Sequence, residues 1–238
     1  MRRMSAVITI GAVALVLAMA ANLALAGNPN PRVLPIGSSP HGMPYGEWSG
    51  QWWQWAYAIP ADMNPVSDPT GQFAALGQSG PVWFLAGTWS SGSEPVTRNV
   101  TLPPGKALFF PIINTIWVNT PEFGDDPWSD AQRDYARSVI APLIDDAYDL
   151  SCQIDGVEVA DIAAYRCQTP DGAEYMVTFP ENSLWLPAGT YGPSVDDGIY
   201  LMLAPLSAGK HTIHFTAKSY FLGQPTSLEV TYLLTVLK

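Results

Sequence analysis

Four tryptophans crowd one short stretch of this chain, Trp48, Trp52, Trp53 and Trp55, interleaved with Glu47, Gln51 and Gln54. Indole rings beside carboxylate and amide groups have the chemistry of sugar recognition. The flat ring stacks on the apolar face of a sugar while the polar neighbours fix its hydroxyls. A carboxyl group against an aromatic wall is also a candidate general acid, which makes Glu47 the residue to consider for a glycoside hydrolase or lyase. Such enzymes need a second carboxyl group about 5 to 9.5 Å away, and no partner for Glu47 can be named from the sequence. The spacing is helical. Trp48, Trp52, Trp55 and Ile59 form one stripe and Glu47, Gln51, Gln54 and Ala58 a second, predicting a helix over 46–59 that ends at Pro60. The alternative to a ligand platform is that this helix plugs the open end of a β fold with its indoles in the core.

Three further groups could carry chemistry. Glu122, Asp125, Asp126, Asp130 and Asp134 crowd one loop and helix start. Carboxylates there are stabilised by the helix dipole and its free N–H groups. They could also offer oxygens to Ca²⁺, but the loop spacing of a calcium-binding hand is missing. Solvated capping acids are the better reading, and no metal is expected. The three histidines are His41, His211 and His214. In a strand His211 and His214 point to opposite faces and cannot share one ion. A triad of His214 with Asp196 or Asp197 and a serine such as Ser194 can be imagined. The G-x-S-x-G and H-E-x-x-H patterns are missing, and no cofactor motif occurs. Cys152 and Cys167 are the only cysteines, and in an oxidising compartment they are expected to form a disulfide. A closed loop of about 15 residues contributes about 3 kcal/mol in the chain-entropy view.

That compartment is suggested by the first 26 residues. Arg2 and Arg3 precede an uncharged run, Ala6 to Ala21, and Ala24-Leu25-Ala26 supplies a small-x-small site. The pattern is a secretory signal peptide, cleaved after Ala26. No transmembrane segment is expected beyond that cleavage site. The chain carries 11 Lys and Arg against 21 Asp and Glu, a formal net charge of −10. An acidic surface excludes nucleic acid and anionic membranes as partners.

The elements that must position these residues are mostly strands. Residues 27–44 read as an extended arm or linker and 45–238 as a single domain. Strands are predicted at 82–86, 96–102 and 107–118, with the Pro-Gly at 104–105 turning between the last two. A helix capped by Ser129 or Asp130 carries Ala131, Tyr135, Val139, Leu143 and Ala147 at helical spacing, and Pro142 should kink or divide it. Further strands are predicted at 151–154, 157–160, 165–168, 175–179, 199–204, 211–217 and 228–237, with Asp155-Gly156 favouring a type I′ turn. The fold class is mainly β: a single-domain β-sandwich or jelly-roll-like structure with a Trp-rich helix and one acidic helical insertion.

Two phrases, Gly77-Gln-Ser-Gly-Pro-Val-Trp-Phe-Leu-Ala-Gly-Thr88 and Pro104-Gly-Lys-Ala-Leu-Phe-Phe-Pro-Ile-Ile-Asn114, stand out. With the Trp-rich segment and the closing Gly-Lys-His-Thr-Ile-His-Phe run, the chain resembles a family of uncharacterised secreted bacterial proteins from about residue 45 to 238. The resemblance implies export and a single, mostly β domain. It carries no established activity and no residue roles. The expected function is a non-catalytic exported protein that binds a polysaccharide or another cell-envelope component through Glu47, Trp48, Gln51, Trp52, Trp53, Gln54 and Trp55. The alternatives are a secreted glycoside hydrolase or lyase using Glu47, and a structural surface or matrix protein.

Overall fold

The computed structural model describes residues 32–88, 94–123 and 128–238. The predicted leader and its expected cleavage site, residues 27–31, and Asp125 and Asp126 lie outside the described residues.

Alternating and continuous apolar runs form two five-stranded sheets packed face to face. The first contains β1 (Val82–Phe84), β3 (Ala107–Val118), β6 (Arg166–Gln168), β7 (Tyr175–Phe179) and β8 (Gly189–Leu203). The second runs in the order β2 (Val96–Leu102), β10 (Gln224–Val236), β9 (Gly209–Phe221), β4 (Tyr148–Ile154) and β5 (Val157–Glu158). The β1–β3 and β2–β10 pairs are parallel and the other pairs antiparallel. Strand β8 is the spine of the first sheet. One side pairs with β3, and the other is tiled by β6, β7 and a bridge from Val33 of the arm. Its residues from Ser194 to Leu203 are all buried, as a strand covered on both faces requires. Between the sheets Phe110 meets Phe215 with ring centroids 5.4 Å apart.

Helix α1 (Tyr45–Tyr57) lies on the outer face of the first sheet, and α2 (Asp130–Asp145) packs against β3, β8 and β9. The stripe of Trp48, Trp52, Trp55 and Ile59 is buried, as is Trp53, while of the second stripe Glu47, Gln51 and Ala58 are exposed and Gln54 is half-buried. Its glycines, poor helix formers, permit close approach to the sheet. A Cβ on Gly46 would stand 2.2 Å from the carbonyl oxygen of Gln168, and one on Gly50 2.8 Å from the Tyr175 ring. Helix α2 begins with a capping box: Ser129 Oγ accepts from the Gln132 N–H and Gln132 Oε1 from the Ser129 N–H. It is not divided at Pro142 but continues to Asp145. Its buried face is Ala136, Ile140 and Ile144 rather than the predicted stripe, so Tyr135 and Val139 are exposed. Packing against Val195 and Trp117 selects that face.

The disulfide is not formed: Cys152 and Cys167 are both free thiols. They lie in different sheets, Cys152 opposite Phe215 and Cys167 opposite Gly198. Cys152 is buried and Cys167 half-buried. Burial, with Glu158 nearby, pushes the Cys152 thiol up, and burial, with the Asp196 and Asp197 charges, does the same to Cys167.

The tight helix–sheet contact gives a direct test. Gly46→Ala raises helix propensity but forces Cβ into the Gln168 carbonyl, so it should destabilise the fold by about 1–3 kcal/mol. A urea melt showing Gly46→Ala as stable as the parent would refute this packing.

Candidate functional site

Strand β1 ends after Phe84, while its partner β3 runs on to Val118. Beyond the pairing of Phe84 with Phe109, no described strand continues along that edge of β3. A β-bulge between Pro111 and Ile113 shifts the register at the same place. The space left beside the edge is a partly open cavity of about 580 Å³, within the range of small-molecule sites. Its walls come from segments distant in sequence. Trp52, Trp53, Ala56 and Tyr57 of α1 form one side, and Pro111 to Ile116 of β3 another. Ala217 and Phe221 of β9, Thr226 to Leu228 of β10, Leu143 of α2, and Leu184 and Trp185 close the remainder. The lining is mostly apolar, and none of its described residues carries a charged side chain. Its polar side chains include Asn114, Thr88, Thr115, Thr226 and Ser227, with the Tyr57 hydroxyl and the Trp185 indole N–H.

Each of the four indoles in α1 has a partner for its N–H. Trp48 donates to Pro40 O (2.9 Å), Trp52 to Leu85 O (2.9 Å), Trp53 to the Tyr200 hydroxyl (3.0 Å) and Trp55 to Leu76 O (2.8 Å). The rings pack edge to face, as Trp52 does on Trp53 at 5.0 Å between centroids. The seven sequence-predicted residues are therefore not brought together. Trp52 and Trp53 line the cavity, Trp48 and Trp55 are core, and Glu47 and Gln51 face outward. Gln54, half-buried, donates to Met176 O (2.9 Å). No described carboxylate lines the cavity.

The polar groups of the cavity floor are tied to a buried network. Asn114 Nδ2 and Trp53 Nε1 both donate to the Tyr200 hydroxyl (3.2 and 3.0 Å), which donates to Asp196 (3.0 Å). Thr169 and Tyr175 also donate to Asp196, at 2.5 and 3.2 Å. Burial pushes the Asp196 carboxyl up to about 6, against the hydrogen bonds from Thr169, Ser49, Tyr200 and Tyr175 that favour its charge. Next to it, Asp197 makes a two-point pair with Arg166 (2.9 and 2.6 Å) and accepts from Gln168 (2.7 Å). Arg166 also reaches Asp145 (2.6 Å), and the Asp197 hydrogen bonds raise its pKa further.

A second buried group holds the wall opposite α1. Arg98 of β2 is fully buried, and among the described residues no carboxylate bonds to it. Its guanidinium donates to the carbonyls of Asp68 (2.7 Å), Ala86 (2.7 Å), Gly87 (2.8 Å) and Val66 (3.2 Å), and to the Tyr232 hydroxyl (2.8 Å). Val66 and Gly87 line the cavity, so this one side chain fixes both segments. Sequence reasoning misses Arg98, because a lone basic residue in a strand reads as solvent-facing.

The remaining sequence candidates do not form a site. His211 is held between Asp155 (2.8 Å) and Ser207 O (2.9 Å), whereas His214 meets Thr231 (3.0 Å) on the other face of β9. His214 lies in the second sheet and Ser194, Asp196 and Asp197 in the first. Asp130 pairs with Arg133 (2.7 Å), Glu122 accepts from Thr120 (3.3 Å), and Asp134 is exposed. Among the described residues no three His, Cys, Asp or Glu side chains converge on a point where a metal ion could sit, and no helix is long and apolar enough to cross a membrane. No protein-family model, curated protein or solved structure matches the chain.

Asp196 provides a pH test. A carboxyl near 3.8 when unfolded and near 6 when folded binds its proton more readily in the folded state. Stability should therefore fall as pH rises between those values, by roughly 3 kcal/mol in all. Asp196→Asn should remove this component. Parent and variant melting curves that run parallel from pH 4 to 6.5 would contradict it.

Proposed function

We propose that this chain is an exported, non-catalytic binding protein that holds a small, uncharged, largely apolar molecule against Trp52 and Trp53. The observation that carries the reading is the cavity beside β3: about 580 Å³, walled by aromatic and aliphatic side chains, with no charged group among its described lining residues. Burying a charged ligand there would cost its full desolvation with no ion to pair with. An apolar body gains about 25 cal/mol per Å² removed from water. Asn114 and the nearby threonines offer hydrogen bonds for one hydroxyl or carbonyl, and the Tyr200–Asp196 network holds the Asn114 amide in a fixed orientation. The ligand class is thus an apolar component of the cell envelope with at most a small neutral polar group. Export is supported by Arg2-Arg3, the apolar run and the Ala24-Leu25-Ala26 site. The exposed stripe of Glu47 and Gln51 takes no part, since it faces away from the cavity.

The test is a titration with an environment-sensitive apolar fluorophore, competed by long-chain alcohols, fatty acids and soluble oligosaccharides. Uncharged alcohols should displace the probe, and ionised fatty acids of equal length should do so at least about tenfold more weakly. Leu228→Trp fills the cavity from a half-buried position and should abolish probe binding with the melting temperature kept. Displacement by oligosaccharides, or undiminished probe binding in Leu228→Trp, would refute the proposal.

A further inference from the structure

The hairpin joining β9 to β10 is built against the usual chemistry of its turn. Phe221 pairs with Gln224, leaving Leu222 and Gly223 as a two-residue turn with φ of +50° and +75°. Such a turn favours Asn-Gly or Asp-Gly, because a branched side chain at positive φ is disfavoured. Here the position holds a leucine that is 86% exposed. Phe221 and Tyr220 beside it are 57% and 47% exposed. Neither local geometry nor burial rewards a large apolar residue at this tip, which points to a contact made outside the chain. The hairpin is held firmly at its base. Tyr220 stacks on Tyr148 at 6.1 Å, Lys218 pairs with Asp149 at 2.9 Å, and Ser219 Oγ donates to Leu143 O at 2.5 Å.

Two observations identify the occupant. First, the tip is continuous with the cavity, since Phe221 lines it together with Trp185, which is itself 51% exposed. Second, no charged residue occurs from Ser219 to Leu228, in a chain whose formal net charge is −10. An uncharged apolar tip on an acidic protein suits a surface without net charge and is repelled from an anionic one. Aromatic and leucine side chains of this kind reside at the boundary between lipid headgroups and acyl chains. We propose that Tyr220, Phe221 and Leu222 insert into a zwitterionic lipid surface and so hold the cavity mouth at the interface. This rests on the reading of the cavity as an apolar ligand site. At that interface an apolar molecule passes between membrane and cavity without crossing water.

The test is co-sedimentation of the mature protein recovered from its producing cells with phosphatidylcholine vesicles, comparing the parent with Leu222→Asn. Asparagine tolerates the turn geometry, so the variant should melt no lower than the parent while its partition weakens roughly tenfold, the value of one leucine side chain withdrawn from an apolar phase. Leu222→Gly serves the same purpose if asparagine disturbs the hairpin. Vesicles rich in phosphatidylglycerol should bind the parent more weakly than phosphatidylcholine ones. Failure of the parent to sediment, or equal sedimentation of parent and variants, would overturn the proposal. So would a smaller solution mass for Leu222→Asn, which would assign the tip to self-association. Probe titration without vesicles should be the same for parent and Leu222→Asn. Loss of probe binding in the parent itself would instead refute the cavity reading.

Discussion

The unequal length of two paired strands governs this molecule. β1 has three residues and β3 twelve, so a parallel pair that begins as an ordinary sheet edge leaves most of β3 without a described neighbour on that side. An apolar edge strand left open is an aggregation hazard. The chain covers it with bulk rather than with another strand. The Trp-rich helix lies across the outer face, and its indole of Trp52 reaches the carbonyl of Leu85, where the backbone leaves β1. Bulk of that kind fills space unevenly, and the cavity is the space that the rings of α1 and the hairpin of β9 and β10 leave between them.

The walls of such a cavity need fixing, since a void lined by loosely held side chains would collapse. Two buried polar groups do this in different ways. Arg98 satisfies its donors with main-chain carbonyls and one hydroxyl, so it clamps backbone rather than a mobile side chain, and it lies 5.5 Å from the Tyr232 ring centroid. Asp196 gathers hydroxyl groups from Thr169 just after β6, Tyr175 of β7 and Tyr200 of β8 itself, and its link through Tyr200 ends at the cavity floor on Asn114. The neighbouring Arg166–Asp197 pair ties β6 to β8, and its branch to Asp145 draws in the end of α2. Apolar lining and polar support are thus separated: among the described residues charge stands behind the wall and not in it.

Much of the framework is legible in the sequence. The strands at 96–102, 107–118 and 175–179 have the boundaries their apolar patterning predicts, and Asp155-Gly156 takes positive φ at both residues, as a type I′ turn requires. The two stripes of α1 are legible for the same reason. Strand β8 shows the limit. Only its apolar end from Ile199 can be read, since Gly192-Pro193 and Asp196-Asp197-Gly198 resemble a loop. Those carboxylates are tolerable in a buried strand because Thr169 and Arg166, far back in the chain, satisfy them. The cysteine pairing fails on similar grounds, as count and compartment say nothing of which sheet each strand joins. The cavity is illegible because its walls meet only in three dimensions. Trp-rich spacing leaves both a ligand platform and a buried plug open, and the fold turns those rings inward while the Glu47 carboxylate stays exposed.

The proposed function stands or falls on whether an apolar molecule occupies the space between Trp53, Ile116 and Leu228. Diffraction from crystals of the protein soaked with a long-chain alcohol brominated at its tail would decide this, with the anomalous signal placing the bromine. One strong bromine site is expected inside the cavity, with the alcohol oxygen within hydrogen-bonding distance of Asn114. Crystals in which the cavity contains only ordered water, or in which bromine sits solely elsewhere, would contradict it.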